Sequence, residues 1–280
     1  MKKWIITAIG YLVLVGMGYW IYTAVATPEQ EASHEGHSEE ENSHGSHGEH
    51  DGEEDSNDSH EEHGSSGESE VEVHLEANSD TLVIHLTDKS GKPVEELEVN
   101  HEKLLHLIVV DEHLEQYFHL HPEQKGAGNF EMRKSLEAGS YKAFVDIKPT
   151  NLSYNVEPIS FTIGEPAESH QHGSLKPDDS FTKTVDGIET QLEVSSFKIN
   201  EPISLQFSFS EDVTLQPYLG AMGHVVILDE HGEKYIHVHP LNDEETIFET
   251  EFKEPGIYKL WGEFQIDGKV YTYPFVIEIK

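Results

Sequence analysis

Four histidines recur twice in this chain at identical spacing. His106, His113, His119 and His121 lie in HLIVVDEHLEQYFHLHP, and His224, His231, His237 and His239 lie in HVVILDEHGEKYIHVHP, the second string aligning on the first without a gap at an offset of 118 residues. Neutral imidazole is a common ligand for zinc and copper. The chain has no cysteine. Thiolate metal sites, thiol catalysis and disulfides are therefore excluded, and any ion must be held by His, Met, Asp or Glu.

Chemistry at these positions needs an element that gathers them. In each copy a β-branched apolar run (Leu107 to Val110; Val225 to Leu228) meets polar turn residues and then alternating residues that end at proline. This reads as a hairpin. A four-residue turn from Asp111 to Leu114 pairs Val110 with Glu115 and sets His106 across from His119; the same count sets His224 across from His237. Directly opposed residues have Cβ atoms roughly 4.5–5.5 Å apart. His121 and His239, two positions on, share the same face, so each hairpin is expected to present three imidazoles together. Leu104 and Met222 take the fourth corner. Leu104 is inert, whereas the Met222 thioether suits Cu(I). His113 and His231 sit in the turn, roughly 20 Å from the cluster at about 3.3 Å per residue, and are expected to be solvated. The competing reading is that these are half-buried strand histidines with a structural role, and that His-Pro marks a strand end.

Formal charge is −36, from 54 acidic and 18 basic residues. A surface so acidic repels nucleic-acid phosphates and attracts cations. Lys2 and Lys3 precede an uncharged, mostly apolar stretch from Trp4 to Ala26. It is long enough to span a bilayer, with Tyr19, Trp20 and Tyr22 as an aromatic belt, and Ala24-Val25-Ala26 also has the form of a signal-peptidase site. Residues 1–26 are thus read as a transmembrane anchor, with a cleaved signal peptide as the alternative. Either way the remainder lies outside the cytoplasm.

Residues 27–70 carry no lysine or arginine and interleave histidines with Asp and Glu. Such a segment cannot bury a core and is expected to be disordered, serving as a spacer, a weak collector of metal, or both. Alternation then begins, with Val71, Val73 and Leu75 followed by Leu82, Ile84 and Leu86. Short strands continue to Ile163. Residues 71–164 and 180–280 are read as two copies of one antiparallel sandwich, all-β and immunoglobulin-like or cupredoxin-like. The linker 165–179 carries a further His-x-His, His170 and His172. Asp267-Gly268 marks a tight hairpin, and Asp146 and Glu263 are candidates to orient a ligating imidazole.

The stretches DKSGKPV (Asp88–Val94) and GIYKLWGEF (Gly256–Phe264), with GAMGH (Gly220–His224) and HVHP (His237–Pro240), resemble the exported YtkA-like β-domains and, more loosely, the CopC-type periplasmic copper carriers. That resemblance covers residues 71–280 and implies an immunoglobulin-like or cupredoxin-like fold and copper handling outside the cytoplasm. The expected function is that of a membrane-anchored metal-binding protein and not an enzyme. It would buffer copper, as Cu(I) or Cu(II), or pass it to a metal-transfer partner, with zinc as the alternative ion. Its ligands would be His106, His119 and His121 in the first copy and Met222, His224, His237 and His239 in the second. The alternative is a non-catalytic interaction module at the cell surface with structural histidines.

Overall fold

The computed structural model of the chain describes residues 68–165, 174–236 and 238–280. The expectations for residues 1–26, for most of 27–70, for His170 and His172 and for His237 lie outside these residues, as does the side chain of His239. Every regular element among the described residues is a strand.

The first repeat contributes β1 (Val71–Ala77), β2 (Thr81–Asp88), β3 (Leu97–Glu98), β4 (His106–Asp111), β5 (Tyr117–Leu120), β6 (Glu123–Gly126), β7 (Asn129–Arg133), β8 (Gly139–Asp146), β9 (Lys148–Pro149) and β10 (Ile159–Ile163). They form two four-stranded sheets, ordered β1-β2-β7-β6 and β10-β8-β4-β5, with β3 and β9 paired separately. The second repeat contributes β11 (Thr182–Val185), β12 (Ile188–Val194), β13 (Pro202–Phe209), β14 (Leu215–Gln216), β15 (His224–Asp229), β16 (Tyr235–Ile236), β17 (His239–Pro240), β18 (Ile247–Glu251), β19 (Gly256–Ile266) and β20 (Lys269–Ile279). Its sheets run β11-β12-β13-β18-β17 and β14-β19-β15-β16, with β20 on β19. All ladders are antiparallel, and each repeat is a two-sheet sandwich.

Local chemistry explains the turns. Asp88 Oδ1 accepts from the Ser90 and Lys92 amides and closes the loop between β2 and the following chain. Asp267 (φ 51°) and Gly268 (φ 76°) make the two-residue turn between β19 and β20, where Ile266 pairs with Lys269. Left-handed backbone at both central positions matches the twist of the strands that the turn joins.

Each sandwich has its own core. Leu107 and Val109 of β4 pack inward with Leu82, Ile84, Phe130 and Val145; Val225 and Ile227 of β15 do the same with Leu205, Phe207 and Phe275. The intervening residues of those strands do not face water. Ile108, Val110 and Phe144 meet Val226, Leu228 and Trp261 in a third core, between the repeats. Strands β4 and β15 are therefore covered on both faces. This is why β4 and β15 read as unbroken apolar runs where a half-solvated strand would alternate.

The contacts between repeats come in similar pairs. Tyr117 stacks on Trp261 with ring centroids 4.6 Å apart, and Tyr235 stacks on Phe144 at 5.9 Å. Lys259 Nζ donates to the Leu114 carbonyl at 2.6 Å, and Lys142 Nζ donates to the His231 carbonyl at 2.7 Å. The chain leading into the second repeat is held down as well. Leu175 packs against the shared core, and Asp178 exchanges hydrogen bonds with the Val276 backbone at 2.9 Å, so this end of the linker is docked on β20.

Candidate metal centre

The hairpin β4–β5 forms, with a register two residues from the expected one. Val110 pairs with Tyr117 and Ile108 with His119, so one further step sets His106 opposite His121. The turn is wider because the Asp111 carboxylate accepts from the Gln116 amide at 2.8 Å, while Leu114, at φ 57°, bonds back to the Asp111 carbonyl. The second hairpin has the same register, Ile227 with Ile236, and Asp229 caps its turn from the same position. A slip of two preserves the face. His106, His119 and His121 still converge, each offering a ring nitrogen within 4.8 Å of the others.

Hydrogen bonds select the tautomers in this group. His106 Nε2 lies 2.9 Å from the Asn100 carbonyl, which can only accept, so that nitrogen carries the proton and Nδ1 keeps its lone pair. His119 Nδ1 lies 2.5 Å from Glu263 Oε2 of the second repeat, and in the tautomer that donates from Nδ1 the lone pair is on Nε2. These two lone-pair nitrogens, His106 Nδ1 and His119 Nε2, face each other at 2.9 Å. A contact this close is held by a cation shared between the two nitrogens, a proton or a metal ion. His121 Nε2, also buried, meets no hydrogen-bond partner among the described residues. Three nitrogen donors around one point, two of them aimed by acceptors behind them, match a metal-binding arrangement. A tetrahedral ion with bonds of about 2.0–2.1 Å sets its nitrogens about 3.3 Å apart, a few tenths of an ångström from the His106–His119 separation of 2.9 Å, with the nitrogen of His121 within 4.8 Å of both.

Burial favours the neutral form of His106 and His121. His106 is pushed down to about 4 and His121 to about 3, chiefly because their charged forms lose solvation, and the neighbouring imidazoles add to the effect. His224 is pushed down to about 3 for the same first reason, with His101 next to it.

The second repeat brings its residues to the same place. His224 Nε2 donates to the Tyr218 carbonyl at 2.8 Å, the counterpart of the bond from His106 to Asn100. Both acceptors open tight turns of one type, Asn100–Lys103 with His101 (φ 44°) and Glu102 (φ 62°), and Tyr218–Ala221 with Leu219 (φ 52°) and Gly220 (φ 82°). A cavity of about 30 Å³ lies between the repeats, lined by His101, His106, His119, His224, Asp146 and Tyr235 among others. Glu263 and Asp146 are only 4% and 9% exposed, and Asp146 Oδ2 accepts from the Tyr235 hydroxyl at 3.0 Å.

Other sequence-predicted positions are placed elsewhere. Met222 is half-buried and does not line the cavity, and Leu104 packs on the core of the first sandwich. His239 pairs through its backbone with Glu249 of β18, so the chain crosses between β16 and β17 from the sheet of β15 to the sheet of β18. His113 sits at the turn beside Glu112, and His231 is exposed. His101 escaped the sequence reading. It lies outside the repeated string, and its one available signal is that it precedes an acidic residue in a polar turn before β4.

The same duplication appears when the chain is compared with known families. It belongs to the family described as Domain of unknown function (DUF8832), whose model matches residues 65–164 and again 183–280. No curated protein matches it. Solved structures with some likeness include the Escherichia coli adhesin FdeC, at 12% identity and a TM-score of 0.24, over 76% of this chain and 64% of that one. A two-domain fibronectin type-III segment of chicken tenascin has 9% identity and a TM-score of 0.23, over 75% and 98%. The Yersinia pseudotuberculosis adhesin InvE has 10% identity and a TM-score of 0.21, over 75% and 60%. This chain thus spans about 64% of the FdeC chain it is compared with.

Proposed function

We propose that this protein binds a metal ion through His106, His119 and His121, and that it serves to buffer or hand on that ion outside the cytoplasm, held at the membrane by its N-terminal segment. One observation carries the reading: ring nitrogens of His106, His119 and His121 converge within 4.8 Å of one another, and the buried His121 Nε2 meets no hydrogen-bond partner among the described residues. Three imidazoles suit copper and zinc alike. Copper is the first choice from the sequence resemblance, and a site without the Met222 thioether fits Zn(II) or Cu(II) as well as Cu(I). The role is binding rather than catalysis, because the described site offers donors but no nucleophile paired with a base.

The test is a titration of the full chain with Cu(I), Cu(II) and Zn(II), beside the variant His119→Ala/His121→Ala. The acidic, His-rich residues 27–70 contribute equally to both, so the difference isolates this site. Loss of one tightly held ion per chain in the variant supports the proposal. Identical isotherms would sink it and leave the second reading, a non-catalytic surface interaction module with structural histidines.

A further inference from the structure

We infer that the ion of the His106 group couples the two repeats: a chain that has taken it up holds its sandwiches docked, and a chain whose sandwiches separate lets it go. The inference rests on the metal-binding reading and adds the regulation of that same site.

The donors and the group that aims one of them come from different sandwiches. His106, His119 and His121 all belong to the first repeat, whereas the carboxylate behind His119 is Glu263 of β19. In the tautomer that binds through Nε2, the His119 Nδ1–H donates to that carboxylate, and a cation on Nε2 polarises the ring and makes Nδ1–H a stronger donor. The bond across the repeats therefore tightens on loading. By linkage, docking strengthens the hold on the ion by the same factor. A separated first repeat would keep its three imidazoles and lose this partner.

Charge acts in the same direction. The seam between the repeats is apolar, with Ile108, Val110 and Phe144 against Val226, Leu228 and Trp261. Two positions after Phe144 and Trp261 come Asp146 and Glu263, carboxylates that docking leaves 9% and 4% exposed. Burying a carboxylate costs solvation. A cation held by His106 and His119 offsets that cost for both, since Glu263 bonds to His119 and Asp146 is the cross-strand partner of His106. Lysines secure the turn ends of the two hairpins, Lys142 on the His231 carbonyl and Lys259 on that of Leu114. Away from the turns the crossing bonds are His119 to Glu263 and Tyr235 to Asp146, and that is the end of the seam the ion would hold.

The experiment uses Zn(II) on the full chain. Leu228 is buried in the seam and lies outside the cavity that His106 and His119 line. Leu228→Asp puts a charge in the seam and should lower Zn(II) affinity by roughly 10–100-fold, the loss that follows removal of the acceptor behind a ligating histidine. Adding Glu263→Ala to it should lower affinity no further, because the separated repeat has already lost that carboxylate. The reciprocal effect is read from Leu228→Cys. The chain has no cysteine, so this variant carries a unique thiol whose labelling by excess maleimide reports opening of the seam. One equivalent of Zn(II) should slow the labelling by the same factor, and should not do so when His119→Ala/His121→Ala is added. The labelling decides the matter if Leu228→Asp does not fold. Labelling that bound Zn(II) leaves unchanged, or parent affinity in a folded Leu228→Asp, overturns the coupling while the three-histidine site stands. Equal Zn(II) binding by the parent and His119→Ala/His121→Ala removes the metal-binding reading and the inference with it.

Discussion

His119 of the first repeat is held by Glu263 of the second, Nδ1 to Oε2 at 2.5 Å, with both side chains only 5% exposed. The bond makes the proposed ligand set dependent on the packing of two sandwiches, since one supplies the imidazole and the other aims it.

Glu263 should accordingly tune ion affinity without touching the ion. Removing the acceptor behind a ligating histidine lowers affinity by roughly 10–100-fold. Glu263→Gln, which can still accept from Nδ1 but carries no charge, should fall near the lower figure, and Glu263→Ala near the higher. Competition against a chelator of known affinity measures both, and equal affinities in all three proteins would contradict the role given to this carboxylate.

Acid should destabilise the ion-free protein early. His106, at about 4, and His121 and His224, at about 3, lie below the ordinary imidazole value of about 6.5, so between those limits the unfolded chain binds more protons than the folded one. Stability is fully present above about pH 6.5 and is lost as pH falls towards 4 and 3. The clean window is roughly pH 6.5 to 5, above the titration of ordinary carboxylates. Thermal midpoints of chelator-treated protein should drop steadily across it, and a flat profile there would refute the burial argument.

Two equivalent tyrosines should respond differently to loss of their hydroxyls. The Tyr235 hydroxyl donates to Asp146 at 3.0 Å, whereas the Tyr117 hydroxyl, buried beside Glu263, makes no contact of comparable geometry among the described residues. Tyr235→Phe should cost about 1–2 kcal/mol, and Tyr117→Phe should stay within about 0.5 kcal/mol of the parent. Urea unfolding of the two variants distinguishes them, and the reverse order would show that the two sides of the interface are not arranged as described.

Leu114 invites an inverted glycine–alanine comparison. It is 2% exposed in the core between the repeats, yet its φ is 57°, the conformation that Gly232 adopts at φ 59° in the second hairpin. Leu114→Ala loses the buried side chain and keeps the backbone strain, costing about 2–4 kcal/mol. Leu114→Gly loses slightly more surface but relieves about 1 kcal/mol or more of left-handed strain. Glycine should therefore be the milder substitution, the opposite of the order within a strand, as chemical denaturation of both variants would show.

Much of this was legible in the residues. The repeated string announced two hairpins, the parity of His106, His119 and His121 placed them on one face, and turn chemistry at Asp88 and Asp267-Gly268 located real turns. The register was not legible. Strand periodicity reports which face a residue occupies and is blind to a slip of two, and that slip was decided by how the Asp111 carboxylate caps its loop.

The sequence alone determined that this chain is a duplicated β-protein whose histidines lie in phase along its strands, because alternation and repetition are local properties of the residues. Tertiary structure decided which imidazoles meet. His101 and His224 join the group, and Glu263 orients His119, only because the outer faces of β4 and β15 are apolar and bury themselves against each other. That packing draws together groups 144 positions apart, as His119 and Glu263 are. Spacing within a strand carries no record of such a contact; the free energy of removing both faces from water creates it.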